Sequence, residues 1–324
     1  MRPGMTGYSW FPPLKEPGTV AAFPAPSGRR KRWLACLFAI VSSAGASLPA
    51  TASSGEIVSS DDLRIHYVDK GDRNAGVLLF VPGWGMDASV WDAQIAAFSK
   101  THRVIAIDPR SQGASSKTLA SNTPEARAGD IDAVMRELSL DPVVLIGWSQ
   151  GVQDIAAYVE RFGTQRLAGL VLVDSPVAAG AVAIESDPAA ARLTFERMAL
   201  YAAHQRPYLE GMMKAVFKKS MPDEALKRRV DVAMQTPVSA GIAMLVLDLY
   251  GADRRPALKK IDRPTLVVAA AASPELAAQR AMAGQIPGAT LVSIEDAGHG
   301  VFVDQPERFN AVLREFLAKV EARD

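Results

Sequence analysis

From residue 55 onward, short apolar runs rich in β-branched side chains alternate with stretches of helical spacing. Residues 77–81, 104–107, 143–146, 170–173, 265–269 and 289–294 have the length and composition of buried strands. Between them, residues 89–99, 124–138 and 152–162 repeat apolar positions with helical period, and a final helix is expected over 306–320. Ahead of this series, residues 56–59 and 63–68 predict an antiparallel pair joined by the turn Ser60-Asp61-Asp62. Strand–helix alternation implies a mostly parallel sheet covered by helices on both faces, with ligand chemistry at the carboxyl ends of the strands.

The alternation stops between about residues 177 and 256. That stretch predicts four helices, near 188–203, 207–219, 223–235 and 239–250, and no strand. An insertion between two strands of one sheet would sit above the sheet edge, so a helical cap over 177–256 is expected on a core of 53–176 and 257–324.

The first 52 residues follow a different pattern. Residues 1–28 are rich in Pro, Gly and Ala without periodicity; then Arg29-Arg30-Lys31-Arg32 precedes an apolar run over 33–48 and Ala50-Thr51-Ala52. A basic cluster, an apolar stretch and an A-x-A site in that order form an export signal cleaved after Ala52. The run is too short, and too rich in Ser and Gly, for a transmembrane span. An exported protein, periplasmic or extracellular and not inserted in a membrane, is therefore expected. Arg29-Arg30 matches a twin-arginine signal only in part, because Arg32 stands where an apolar residue is usual.

Charge and cysteine content narrow the chemistry. Of 324 residues, 48% are hydrophobic, enough for one large core. Removing residues 1–52 leaves 30 basic against 34 acidic residues, a net charge of −4, which argues against nucleic acid or an anionic membrane as partner. The single cysteine, Cys36, lies in the apolar run, so the expected mature chain has no disulfide, thiol nucleophile or cysteine metal site. No two histidines stand at helical ligand spacing, and Gly83-Trp84-Gly85 falls short of a dinucleotide motif, so neither a metal nor another cofactor is expected.

Residues 147–151 read Gly-Trp-Ser-Gln-Gly, a G-x-S-x-G motif between a strand pattern and a helix pattern. A sharp turn there would strain Ser149 and project its hydroxyl clear of the sheet, with Gly147 and Gly151 supplying the missing side-chain volume. A serine hydroxyl is too weakly acidic to attack an acyl carbon unaided and needs a neighbouring base. Of the four histidines, His66 lies in a strand pattern, His102 just before one and His204 in the cap. His299 alone follows the last strand in a glycine-flanked loop, which makes it the candidate base.

These residues resemble the α/β-hydrolase family, and the resemblance covers nearly all of 55–322. Val81-Pro82-Gly83-Trp84-Gly85-Met86 followed by Trp91 looks like the family's oxyanion loop, with Pro82 where His is common. Asp108-Pro109-Arg110-Ser111-Gln112-Gly113 resembles its Asp-x-Arg-Gly-His-Gly segment, and Glu295-Asp296-Ala297-Gly298-His299 the segment presenting the catalytic histidine. The resemblance implies an α/β-hydrolase fold, an acyl-enzyme reaction, and an oxyanion hole made by the backbone amides of Trp84 and Gln150. The family's usual acid would follow the strand 265–269, but Ser273 stands there, and a serine cannot balance an imidazolium. Asp174, after the strand 170–173, and Glu275 are the substitutes. Some relatives, such as the haloalkane dehalogenases, place their acid where Asp174 lies, and Asp174 is the expected third member. Position 149 is Ser, whereas dehalogenase and epoxide-hydrolase branches use Asp. Arg110 is expected to stabilise loops.

Trp84, Met86 and Trp148 flank the expected site, and the cap offers Met198, Leu200, Met212, Met213, Phe217 and Leu245. An apolar pocket under a helical lid suits a small or medium neutral acyl compound. The leading expectation is a serine hydrolase of carboxylic esters. An amidase, lactonase, C–C hydrolase, acyltransferase or perhydrolase would carry the same motifs, and the altered acid loop leaves a ligand-binding protein as the alternative class.

Overall fold

A computed structural model describes residues 53–59 and 61–322. The leader expected over 1–52, with Cys36 and the cleavage site, lies outside the described residues, as does Ser60 of the first turn. Eight strands form one sheet in the order β1 (Ser53–Val58), β2 (Arg64–Lys70), β4 (Arg103–Ile107), β3 (Val77–Val81), β5 (Val143–Trp148), β6 (Leu167–Val173), β7 (Thr265–Ala270) and β8 (Thr290–Ile294). β1 and β2 pair antiparallel, as does β2 with β4; the remaining neighbours are parallel. β3 lies between β4 and β5, so the strand order reverses direction there and opens a crevice at the carboxyl ends of β3 and β5.

The central strands are buried on both faces because helices cover both, and alternate residues feed two separate cores. Leu78, Phe80, Ile146 and Val171 face one side with Trp91, Phe302 and Phe309. Leu79, Val81, Leu145 and Leu170 face the other, against Val152, Ile155 and Tyr158 of α3 (Gln150–Phe162). The first side also carries α1 (Asp92–Phe98) and α12 (Pro306–Glu321), and the second α2 (Pro124–Glu137). Thr123 caps α2, accepting the Ala126 amide ahead of Pro124, which supplies the helical φ at the first position.

Between β6 and β7 the chain is helical, with α4 (Val182–Ser186), α5 (Pro188–Ala203), α6 (Gln205–Val216), α7 (Asp223–Ala233), α8 (Val238–Tyr250) and α9 (Arg255–Leu258). Short α4 and α9 are additions to the four expected helices. The second expected helix ends at Val216 rather than 219, because Phe217 turns extended and the amides of Lys218 and Lys219 go to the carboxylate of Asp304. Two more helices were not expected: α10 (Leu276–Ala283) between β7 and β8, and α11 (Val301–Asp304) after the His299 loop. Among the described residues no single helix is long and apolar enough to cross a membrane.

Candidate active site

Ser149 sits at the turn from β5 into α3 with φ 56° and ψ −113°, a conformation that L-residues adopt at a cost of about 1–3 kcal/mol. The flanking glycines allow it. A Cβ on Gly147 would lie 2.5 Å from the Gly151 carbonyl oxygen, and one on Gly151 would lie 2.7 Å from that of Val81. The turn is held from the next strand, since the Ser149 amide donates to Val173 O at 3.1 Å. Gln150 opens α3, so its N–H has no acceptor within the helix and faces the crevice end.

The other arm of the crevice is the loop after β3. Gly83 packs so closely that a Cβ there would be 3.2 Å from Ser149 Cβ and 3.0 Å from the Trp148 ring. This places Trp84, the next residue, beside the turn. Its indole is buried, donating Nε1–H to Gly241 O at 2.9 Å and meeting Tyr201 edge-on.

On the far side, His299 Nδ1 lies 2.9 Å from Asp174 Oδ2. Asp174 is fully buried at the end of β6 with φ 46°. Its amide donates to Val268 O at 2.8 Å, and its Oδ1 accepts the Ala270 amide at 2.9 Å and Gln279 Nε2 at 3.1 Å. A carboxylate with this many donors is fixed in position and directs its second oxygen at the imidazole. The histidine loop is anchored as well: Trp148 Nε1 donates to His299 O at 2.9 Å, and Asp304 accepts the Gly298 amide at 2.8 Å.

Glu275, the other acid considered, is the residue that precedes α10 rather than part of a distorted loop. It is buried near Asp174, its Oε2 has no hydrogen-bond partner, and burial together with the Asp174 charge pushes its carboxyl up to about 8. Ser273 accepts from Gln279 Nε2 at 3.2 Å, so it joins Asp174 through that amide instead of replacing it. Gln279 was not foreseen, although Ser273-Pro274-Glu275 is a helix-start signature that could have found the helix carrying it, and Ser273 Oγ accepts the Glu275 amide at 3.3 Å.

Ser149, His299, Trp84, Met86, Trp148 and Gln150 line one cavity of about 730 Å³, open mouth included, together with Gln153, Ser175, Met212, Val216, Leu245, Asp248 and Leu249. Of the cap residues proposed from sequence, Met212 and Leu245 reach it. Met198, Met213 and Phe217 pack in the core beneath. Asp248 enters from α8 and was not foreseen. Its Oδ2 accepts Gln150 Nε2 at 2.7 Å, and its Oδ1 pairs with Arg127, which also holds Asp154 Oδ1 at 2.8 Å. Burial alone would lower the Arg127 pKa, but the two carboxylates raise it; burial raises Asp154 and Asp248.

The remaining histidines lie elsewhere. His66 contacts Asp108 at 3.0 Å, a hydrogen bond that raises its pKa against partial burial; His102 contacts Glu321; His204 separates α5 from α6. Arg110 is a loop clamp, donating to Asp130 at 2.7 Å and to Asp61 and Ser121 O. Among the described residues no group of three or more His, Cys, Asp or Glu is placed to hold a metal ion.

The model of the Alpha/beta hydrolase family matches residues 78–312. The chain belongs to this family. It is 29% identical over 276 residues to a non-heme chloroperoxidase of Streptomyces lividans, covering 81% of this chain and 99% of that protein. To the bifunctional esterase/perhydrolase DCH of Acinetobacter calcoaceticus it is 35% identical over 135 residues, 41% of this chain and 49% of the relative. Among solved structures, a bromoperoxidase from Bacillus anthracis superimposes with a TM-score of 0.74 at 21% identity, covering 83% of this chain and all of the other. This α/β hydrolase is thus an enzyme whose relatives carry esterase, haloperoxidase and enol-lactonase names.

Proposed function

We propose that this α/β hydrolase is an exported serine hydrolase that cleaves a small or medium, largely apolar carboxylic ester. The observation that carries the reading is Asp174 Oδ2 at 2.9 Å from His299 Nδ1, with the histidine and the strained Ser149 facing one cavity. Ser149 Oγ attacks the acyl carbon while His299 takes its proton, and Asp174 holds the ring and offsets its charge. The carbonyl electron pair moves to an oxyanion received by the amides of Trp84 and Gln150. Collapse expels the alcohol, which takes the proton back from His299. Water then attacks the acyl-enzyme by the same route and releases the acid.

The cavity argues for a neutral acyl group. Its walls are mostly apolar, no Lys or Arg lines it, and the Asp154–Arg127–Asp248 cluster that reaches it through Asp248 holds two carboxylates for one guanidinium. A substrate carboxylate would be desolvated there without a partner. The leader of residues 1–52 supports export; a fusion of those residues to a reporter that works only outside the cytoplasm tests it.

The deciding test is fluorophosphonate labelling of the chain from residue 53 onward, with the modified residue located by mass spectrometry, beside a p-nitrophenyl ester series. Labelling at Ser149 and hydrolysis of short neutral esters, both abolished in Ser149→Ala, are the expected results. Hydrolysis that survives Ser149→Ala would refute the reading. Absence of labelling together with tight, unprocessed ester binding would favour a ligand-binding protein.

A further inference from the structure

The two residues whose backbone amides receive the oxyanion in the mechanism above also send their side chains to one cap helix. Trp84 donates its indole N–H to Gly241 O at 2.9 Å, and Gln150 donates Nε2–H to Asp248 Oδ2 at 2.7 Å. Gly241 and Asp248 both lie on α8, about two turns apart. The second contact continues into the core, where Gln150 Oε1 accepts from Gln112 Nε2 at 3.1 Å. Gln112 Oε1 in turn accepts the amide of Gly85, the residue after Trp84. The chain of contacts closes on itself, from Trp84 through α8 to Gln150, on to Gln112, and back through Gly85. Gln112 is fully buried, and Gln150, Asp248 and Trp84 are nearly so, which keeps water from substituting for any link.

We propose that this ring of hydrogen bonds sets the oxyanion hole, with Gln112 as a positioning residue and α8 holding both donor-bearing residues. Gln112 has no direct part in the chemistry. Its side chain bridges the two arms of the crevice, fixing the peptide unit after Trp84 against the side chain of Gln150. Oxyanion donors work only within a few tenths of an ångström of their place, and a misplacement of about 1 Å costs on the order of 100-fold in rate. Removing the bridge frees a buried Gly85 N–H and lets the two arms move independently. The cap thereby contributes to the chemical step as well as to substrate enclosure.

The inference rests on the oxyanion assignment to Trp84 and Gln150, and the test separates the two. Gln112→Met keeps side-chain length and removes both bonds. It is compared with wild type using a short p-nitrophenyl ester, an aryl trifluoromethyl ketone and the matching methyl ketone. Ser149 Oγ adds to the activated carbonyl of the trifluoromethyl ketone, its proton passes to His299, and the carbonyl pair becomes an oxyanion; the methyl ketone only occupies the pocket.

The expected result is a kcat lowered roughly 10- to 100-fold, in the range of a displaced oxyanion donor, with KM within about twofold. Affinity for the trifluoromethyl ketone should fall by a similar factor, while methyl ketone binding should not change. Trp84→Phe cuts the ring at its other side and keeps the backbone amide. It should act the same way, and the double variant should lose less than the product of the two single losses. If Gln112→Met does not fold, Trp84→Phe carries the same comparison alone. Unchanged kcat and ketone affinity, or equal losses for both ketones, would overturn the proposal. A wild-type chain that forms no ketone adduct at Ser149 would instead overturn the serine hydrolase reading beneath it.

Discussion

Two pairs of buried carboxylates flank the candidate site, and their surroundings differ. Asp154 and Asp248 share Arg127, which contacts one oxygen of each, and Gln150 satisfies a further oxygen of Asp248. Asp174 and Glu275 share no arginine; His299 meets Asp174, and one oxygen of Glu275, like one of Asp154, has no hydrogen-bond partner. In the first pair a permanent cation holds the charges, so the cluster is structural and locks the cap helix α8 to α2 and α3. In the second, the proposed mechanism makes the partner a histidine that gains charge only by taking the proton of Ser149. An ion pair that forms and dissolves within one turnover serves catalysis, whereas one that always persists serves position.

The contrast can be broken most sharply at Asp174. Asp174→Asn keeps the shape but removes the charge that balances the imidazolium, so kcat for a p-nitrophenyl ester should fall about 10³- to 10⁴-fold with little change in melting temperature. A loss below tenfold would move the acid role away from Asp174. At the other pair the largest effect should be on folding. Arg127→Met leaves two buried carboxylates unpaired and should cost about 3–5 kcal/mol in urea unfolding. Replacing Asp154 and Asp248 by Leu in the same chain should recover much of that loss, and failure to do so would show that the cluster does more than hold position.

A third test sharpens the comparison through pH. Glu275 ionises near 4.5 in the unfolded chain and at about 8 in the folded one. The folded state therefore holds the extra proton between those values, and stability from this group is full below about 4.5 and is lost as pH rises through 8. The loss should be on the order of 1 kcal/mol per pH unit in that window. Glu275→Gln, whose amide can donate where the protonated acid would, should flatten the slope in urea titrations at pH 5, 7 and 9. Parallel slopes for the two proteins would mean that Glu275 is already ionised when folded.

Much of the core was legible because it depends on local pattern. The short apolar runs became β3 to β8, several one to three residues longer than their patterns, and Gly147 and Gly151 marked the one turn where only the absence of a Cβ permits the backbone path. The strained turn at Ser149 and the place of His299 after the last strand were readable from the same local logic. The helices α10 and α11 were not, because at eight and four residues both are short enough to need tertiary support. Asp174 and Glu275 were both named from sequence, yet choosing between them required knowing which carboxylate reaches an imidazole 125 residues away.

Sequence by itself therefore determined the order of strands and helices, the helical insertion, the strained turn at Ser149 and the loop of His299. All are set by periodicity and by backbone conformations that only certain residues tolerate. Tertiary structure decided which acid meets His299, that Asp248 enters the cavity from the cap, and that Gln112, Gln150 and α8 close one circuit around the crevice. Those contacts join residues dozens to more than a hundred positions apart, and their partners are chosen by distance and burial, which no local pattern encodes.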